Sequence, residues 1–283
     1  MSGKMVRLGR LFDATSGKTL VMPVDHGLSL GMVSGLENPR TLLSRLEALG
    51  VDATLISPGM ARANADLFAS RTAPARILTV DLPLISNVPG EVSEVRAYSM
   101  IASVDDALRM GVECVKVLLI WGIESAVQME NLRLVAALAR ECERSEMPLM
   151  VEPVLWGQSI PEARKADAEL VGNACRIAVE LGADIVKGPY VADAAALATI
   201  VERLPVPVVL LGGPRLDDAR AVLQIAINAI SAGVRGIVFG RNVFQRPDAE
   251  AMIRAFRGIV HEGLGLDAAA ALMDGKQLAA SQR

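Results

Sequence analysis

Residues 180–213 read ELGADIVKGPYVADAAALATIVERLPVPVVLLGG, and this stretch decides the architecture. Gly182 closes one helical segment, because glycine enters the left-handed conformation without strain. ADIVKG (183–188) then forms a short β-rich run, 191–203 reads as helix, and VPVVLLGG (206–213) forms a second β-rich run. Both runs are apolar on both faces, with a helix between them. That pattern belongs to parallel strands joined by a crossover. A lysine, Lys187, breaks the first run close to its C-terminal end.

The unit repeats outward in both directions. Further strands are expected at 19–25, 52–57, 75–81, 112–120, 148–154 and 235–240, and helices at 40–50, 103–111, 124–145, 163–182, 217–233 and 248–261. Residues 82–99 are polar and turn-rich, and read as an active-site loop or small extra elements. Eight strands alternating with helices specify an α/β protein of the (β/α)8 TIM-barrel class. An open doubly wound sheet is the rival, but no early Gly-x-Gly-x-x-Gly loop is present. No Pro, Gly or Ser-rich linker divides the chain. Residues 1–283 are therefore read as one domain, with the barrel at about 19–261 and an Ala-rich tail at 264–283.

Composition narrows the function. Apolar residues make up 52% of the chain and aromatics only 3%, so the core is aliphatic, as the filling of a barrel is. The formal net charge is -3 and no basic block occurs, which argues against a nucleic-acid partner. Cys114, Cys142 and Cys175 lie far apart, suggest neither disulfide nor zinc site, and fit a cytoplasmic location. With two histidines in the chain, no histidine-rich metal site is expected. The apolar runs are too short to span a membrane, and residues 1–18 lack the apolar stretch of a signal peptide.

Catalytic side chains in such barrels sit at the C-terminal ends of strands. Asp25, Lys116, Glu152 and Lys187 fall there against the hydrophobic pattern. Strand alternation puts Lys116 on the face of Cys114, Glu152 on that of Met150 and Lys187 on that of Ile185. Structural ion pairs are the plain reading of any one of these charges, but two acids and two bases converging on one mouth favour chemistry. A neutral lysine amine attacks a carbonyl and forms a Schiff base. Burial and a second cation both oppose protonation, and at ~5 Å and an effective dielectric of ~20 the repulsion is ~3 kcal/mol, an upper end because the neighbouring acids would offset it.

Two glycine corners add a binding function. LLGGPR (210–215), with Gly212 and Gly213, and FGRN (239–242), with Gly240, end neighbouring strands where barrels commonly cradle phosphate. Arg241 or Arg215 would add charge. His26 packs, hydrogen-bonds or touches substrate beside Asp25. Asp81 reads as a cap, loop or site residue, and Trp121 and Trp156 as pocket walls or loop packing. Asp184, at the opposite end of its strand, reads as structural.

At these residues the chain resembles class I aldolases of the archaeal-type fructose-bisphosphate aldolase family, which also contains aminodideoxyheptulosonate synthase and the autoinducer-2 thiolase. The resemblance covers about residues 10–260. It is carried by Val24-Asp25-His26-Gly27, the GADIVKGPY segment, Gly212-Gly213, and Gly240-Arg241-Asn242 followed by Val243-Phe244-Gln245. It implies a Schiff base on Lys187, an active-site carboxylate at Asp25, and substrate phosphate after the seventh and eighth strands. It also implies no cofactor, no metal, and a homo-oligomer, decamers being common in the family. The implied reaction cleaves or forms a carbon–carbon bond of a phosphorylated ketose and releases dihydroxyacetone phosphate or a similar ketone. Transaldol or acyl transfer on another phosphorylated keto sugar, and a noncatalytic sugar-phosphate-binding barrel, are the alternatives. One departure stands out: the family's tyrosine segment after the fifth strand is replaced by Val154-Leu155-Trp156-Gly157. Glu152 and Lys116 instead resemble the glutamate and strand-four lysine of broader class I aldolases, including the tagatose-bisphosphate and sulfofructose-phosphate types.

Overall fold

A computed structural model describes residues 2–274. Eight parallel strands close into a barrel in the order β1, β10, β9, β8, β7, β6, β3, β2. They are β1 (Thr19–Pro23), β2 (Ala53–Ile56), β3 (Ala75–Thr79), β6 (Cys114–Ile120), β7 (Leu149–Val154), β8 (Ile185–Gly188), β9 (Val208–Leu211) and β10 (Gly236–Val238). Each lies inside a run expected from the sequence. β4 (Asp81–Leu84) and β5 (Ala97–Met100) form an antiparallel hairpin outside the barrel, in the segment read as a loop or extra elements.

The core has two layers because every strand is apolar on both faces. Val21, Leu55, Ile77, Cys114, Met150, Ile185, Val209 and Val238, one from each barrel strand, fill the interior. The opposite faces pack against the surrounding helices. A helix not foreseen from the sequence, Ser2–Leu11, closes the N-terminal end. Leu11 is buried against the interior cluster, with Leu8 and Phe12 beside it. Lys4 anchors this helix to Asp184 at 3.0 Å, and Asp184 also accepts the Leu149 N–H at 2.9 Å. Asp184 is thus structural, as its position at the far end of the strand suggests.

Helix starts are set by caps. Asp167, Asp193 and Asp218 each accept N–H groups from the first turn of the helix that follows β7, β8 or β9. The Asp167 cap starts its helix at Ala168, five residues later than the sequence pattern suggests. The helix expected over 40–50 is regular only over Pro39–Leu43. Beyond it Arg45, Leu46 and Gly50 bond three residues back, which tightens the chain and buries Leu43, Leu46 and Leu49 at three-residue spacing. In the tail, Leu266–Met273 is helical, and 275–283 lies outside the described residues.

Candidate active site

Lys116, Glu152 and Lys187 each stand one pleat above the interior layer formed by Cys114, Met150 and Ile185, so β6, β7 and β8 carry them to the mouth together. Glu152 occupies the middle. Its Oε2 lies 2.8 Å from Lys116 Nζ and its Oε1 2.9 Å from Lys187 Nζ. All three residues are buried, Lys187 being the most open at 8%. The ion-pair reading and the catalytic reading therefore meet in one cluster. The repulsion between Lys116 and Lys187 is offset, because a carboxylate stands between them.

The electrostatics follow from this placement. Burial opposes the charge on Glu152, but the two ammonium groups outweigh it and hold its carboxyl down to about 2. Burial likewise works against Lys116, yet Glu152, Asp81 and Asp25 raise its pKa above the ordinary value. Glu152 is an ionised acceptor and Lys116 a fixed cation.

On the opposite side of the mouth, Asp25 follows β1, and its Oδ2 accepts the Thr79 hydroxyl at 2.6 Å. His26 sits edge-on to Phe244 at 5.0 Å, with its Nδ1 3.7 Å from Asp25 Oδ1, and lines the cavity. Burial lowers the His26 pKa, with Lys187 and Arg241 adding to the effect against the pull of Asp25, so the ring is neutral at pH 7. Asp81 opens β4 and is fully covered. Its Oδ2 accepts the Leu118 N–H at 2.8 Å and lies 2.9 Å from the Tyr98 hydroxyl, while burial pushes its pKa up. Tyr98 does not line the cavity and does not stand in for the family's tyrosine.

These groups surround a cavity of about 660 Å³. Gly212, Gly213, Gly240 and Arg241 form its β9–β10 side. Gly213 takes φ +61, which a side chain would strain. A Cβ at Gly240 would come within 2.7 Å of His26 Cε1 and 2.9 Å of Phe244, so this glycine also serves close packing. Arg241 begins the Arg241–Phe244 turn, where the leading N–H groups lack intrahelical acceptors. Its guanidinium is half-buried, its pKa is lowered by that burial, and it has no carboxylate partner among the described residues. Arg215, the other candidate, pairs with Asp217 at 3.2 Å and does not line the cavity. Trp156 lines it, whereas Trp121 packs on the core.

Sequence reasoning missed two supports. Thr79 was readable, since it precedes Asp81 by two residues on the inward face of β3. Asn242 stood within the glycine motif without a role. Buried, it accepts the Leu216 N–H at 2.8 Å and donates to the carbonyls of Gly212 at 2.9 Å and Pro214 at 3.0 Å. It ties the two glycine corners together. Among the described residues no group of three or more His, Cys, Asp or Glu is placed to hold a metal ion.

The profile of the DeoC/LacD family aldolases matches residues 19–246. The 2-amino-4,5-dihydroxy-6-oxo-7-(phosphonooxy)heptanoate synthase of Streptomyces griseus is 33% identical, over 91% of this chain and 90% of that protein. The 2-amino-3,7-dideoxy-D-threo-hept-6-ulosonate synthase of Halobacterium salinarum is 29% identical, over 95% of this chain and 96% of its own. The crystal structure of an archaeal fructose 1,6-bisphosphate aldolase superposes with a TM-score of 0.79 at 26% identity, covering 92% of this chain and all of that one. A further archaeal aldolase structure, with its catalytic lysine covalently bound to the substrate's carbinolamine intermediate, gives a TM-score of 0.75 at 26% identity, over 91% of this chain and 99% of that one. The profile match runs from β1 past β10 and includes the lysine-bearing strand. Fold and likeness together define the class, a class I aldolase. The chain belongs to the DeoC/LacD aldolase family.

Proposed function

We propose that Lys187 forms the Schiff base through which this class I aldolase cleaves or forms a carbon–carbon bond of a phosphorylated ketose. The observation that carries the assignment is a buried amine 2.9 Å from a carboxylate, in a cavity whose β9–β10 side presents glycine corners and an arginine with no ion-pair partner among the described residues. Two relatives support the substrate class. One is named for fructose 1,6-bisphosphate, and the other for a product with a ketone beside a phosphate-bearing carbon.

Lys187 Nζ adds to the C2 carbonyl and gives a carbinolamine. At that stage the nitrogen is neutral, so Glu152 loses one of the two cations that depress it and its proton affinity rises. It then holds the proton that the departing hydroxyl needs, and loss of water gives the iminium. Removal of the C4 hydroxyl proton breaks the C3–C4 bond. Its electron pair flows into the iminium, leaving an enamine and a free aldehyde. Asp25 Oδ1 is the oxygen not engaged by Thr79, and it orients that hydroxyl and assists its proton transfer. Protonation at C3 and hydrolysis then release dihydroxyacetone phosphate or a similar ketone and restore the amine. Lys116 supplies fixed positive charge beside Glu152 and helps water leave. Gly212, Gly213, Gly240 and Arg241 hold the phosphate, with His26 closing that side. The proposal extends to a cytoplasmic homo-oligomer, supported by the resemblance and by three buried, unbridged cysteines.

Metal independence tests this chemistry directly, because the lysine supplies the electron sink. Turnover of a ketose phosphate should survive exhaustive EDTA treatment. Loss of activity that a divalent ion restores would count against the Schiff-base assignment. The phosphate contact is tested by Arg241→Ala. Removing one charge-assisted contact, worth about 1.5–3 kcal/mol, should weaken kcat/KM roughly 10–100-fold for phosphorylated substrates and much less for their dephospho analogues. Equal losses for both kinds of substrate would remove Arg241 from the phosphate site.

A further inference from the structure

A phosphate dianion at the glycine corners would meet one fixed cation without a carboxylate of its own. Of the lysines and arginines that line the cavity, Lys116 and Lys187 are engaged by Glu152 and Lys165 by Glu162, so that among the described residues Arg241 alone lacks an ion-pair partner. A single positive charge leaves half of the dianion's charge unmatched in a half-buried site, which is costly. The next titratable group on that side is His26. Its ring stands edge-on to Phe244 at 5.0 Å, and a Cβ at Gly240 would come within 2.7 Å of its Cε1, so it borders the corner where the Arg241–Phe244 turn begins. Its Nδ1 is buried with no hydrogen-bond partner among the described residues, 3.7 Å from Asp25 Oδ1. Nε2 has no partner among them either, but it is not sealed off as Nδ1 is, and the ring lines the cavity.

We infer that His26 takes up a proton as the substrate's phosphate enters, and that the imidazolium so formed is the second cation of the phosphate site beside Arg241. The inference rests on the phosphate reading above and deepens it. The proton comes from solvent, and no bond to the substrate is made. A neutral imidazole carries one N–H and can serve the phosphate or Asp25, not both. An imidazolium donates from both nitrogens, with Nε2–H toward the phosphate and Nδ1–H toward Asp25 Oδ1, which gives the orphaned Nδ1 its partner. The charged groups facing the ring are Asp25 beside it, Glu152 from β7, Lys187 from β8 and Arg241 after β10, two of each sign. With the signs so balanced, burial decides in favour of the neutral ring when no anion is bound. A dianion at the glycine corners adds two negative charges to this set and reverses the outcome.

Sulfate is the probe, because it remains a dianion near neutral pH and has no carbonyl for Lys187 to attack. Its dissociation constant follows from the rise in Tm of the intact protein with sulfate, at constant ionic strength. Binding linked to uptake of one proton tightens as pH falls, so affinity should rise roughly 10-fold between about pH 8 and about pH 6. In His26→Gln, which keeps an N–H donor but cannot be charged, that gradient should flatten to about 2-fold or less. On the unmutated protein in weak buffer near neutral pH, added sulfate should draw up to about one proton per site from solution. A parent with no gradient and no proton uptake would overturn the inference. A gradient that persists in His26→Gln would also overturn it, by assigning the proton to Asp25 or Glu152. Arg241→Ala should weaken sulfate at every pH. Sulfate binding unchanged in that variant would overturn the phosphate reading beneath the inference, whereas borohydride capture of dihydroxyacetone phosphate tests the Schiff base separately.

Discussion

Lys187→Ala is expected to leave a folded barrel that no longer cleaves or forms the carbon–carbon bond. The substitution removes the amine proposed as the nucleophile, and losses on the order of 10⁴-fold or more in kcat are usual for such groups. Lys187→Arg should be equally inactive, because a guanidinium stays protonated and offers no amine. Folding should survive, since the remaining Lys116–Glu152 contact at 2.8 Å is a charge-balanced pair. Turnover of a ketose phosphate and a thermal melt on the same preparations check both halves. Activity above about a hundredth of the parent's in either variant would place the covalent step elsewhere.

Glu152→Gln carries the second large effect, and here the structure changes what the sequence alone would lead one to expect. A proton shuttle on the adjoining strand end would be replaceable without harm to folding. The side chain found here also neutralises two buried amines, so the variant leaves both without their shared partner. Breaking a buried pair costs about 3–5 kcal/mol, and Asp81 and Asp25 near Lys116 soften that. We expect a clear fall in Tm together with a ~10²–10⁴-fold loss in kcat per folded site. Near-normal turnover in the folded fraction would reduce Glu152 to an ion-pair partner.

Much of this arrangement is legible in the amino-acid sequence because two periodicities carry it. Runs such as VECVKVLLI (112–120) and ADIVKG (183–188) are apolar on both faces, which only a strand covered on both sides requires. Within such a run the inward-facing lysine is conspicuous, and period-two alternation places it above Cys114 or Ile185. Alternation does not say how far apart two strand ends stand around a closed barrel. The contact of both Lys116 and Lys187 with one Glu152 side chain is therefore invisible in the sequence, which shows only that nearby acids would offset the repulsion between the two lysines. The helix Ser2–Leu11 is not foreseen, and the pairing of β4 with β5 inside the segment read as a loop or small extra elements is left open, for a related reason. Each is stabilised by what it packs against, and neither local pattern shows that partner. Asn242 makes the same point at the scale of one residue, since its three hydrogen bonds go to the loop at 212–216.

The most direct measurement is peptide mass analysis after borohydride reduction of the protein with dihydroxyacetone phosphate. The account predicts one reduced adduct, on the peptide containing Lys187, absent in Lys187→Ala and still formed, more slowly, in Lys116→Ala. An adduct only on Lys116 would exchange the roles of the two lysines, and no adduct with a ketose phosphate that the protein demonstrably turns over would contradict the Schiff-base mechanism itself.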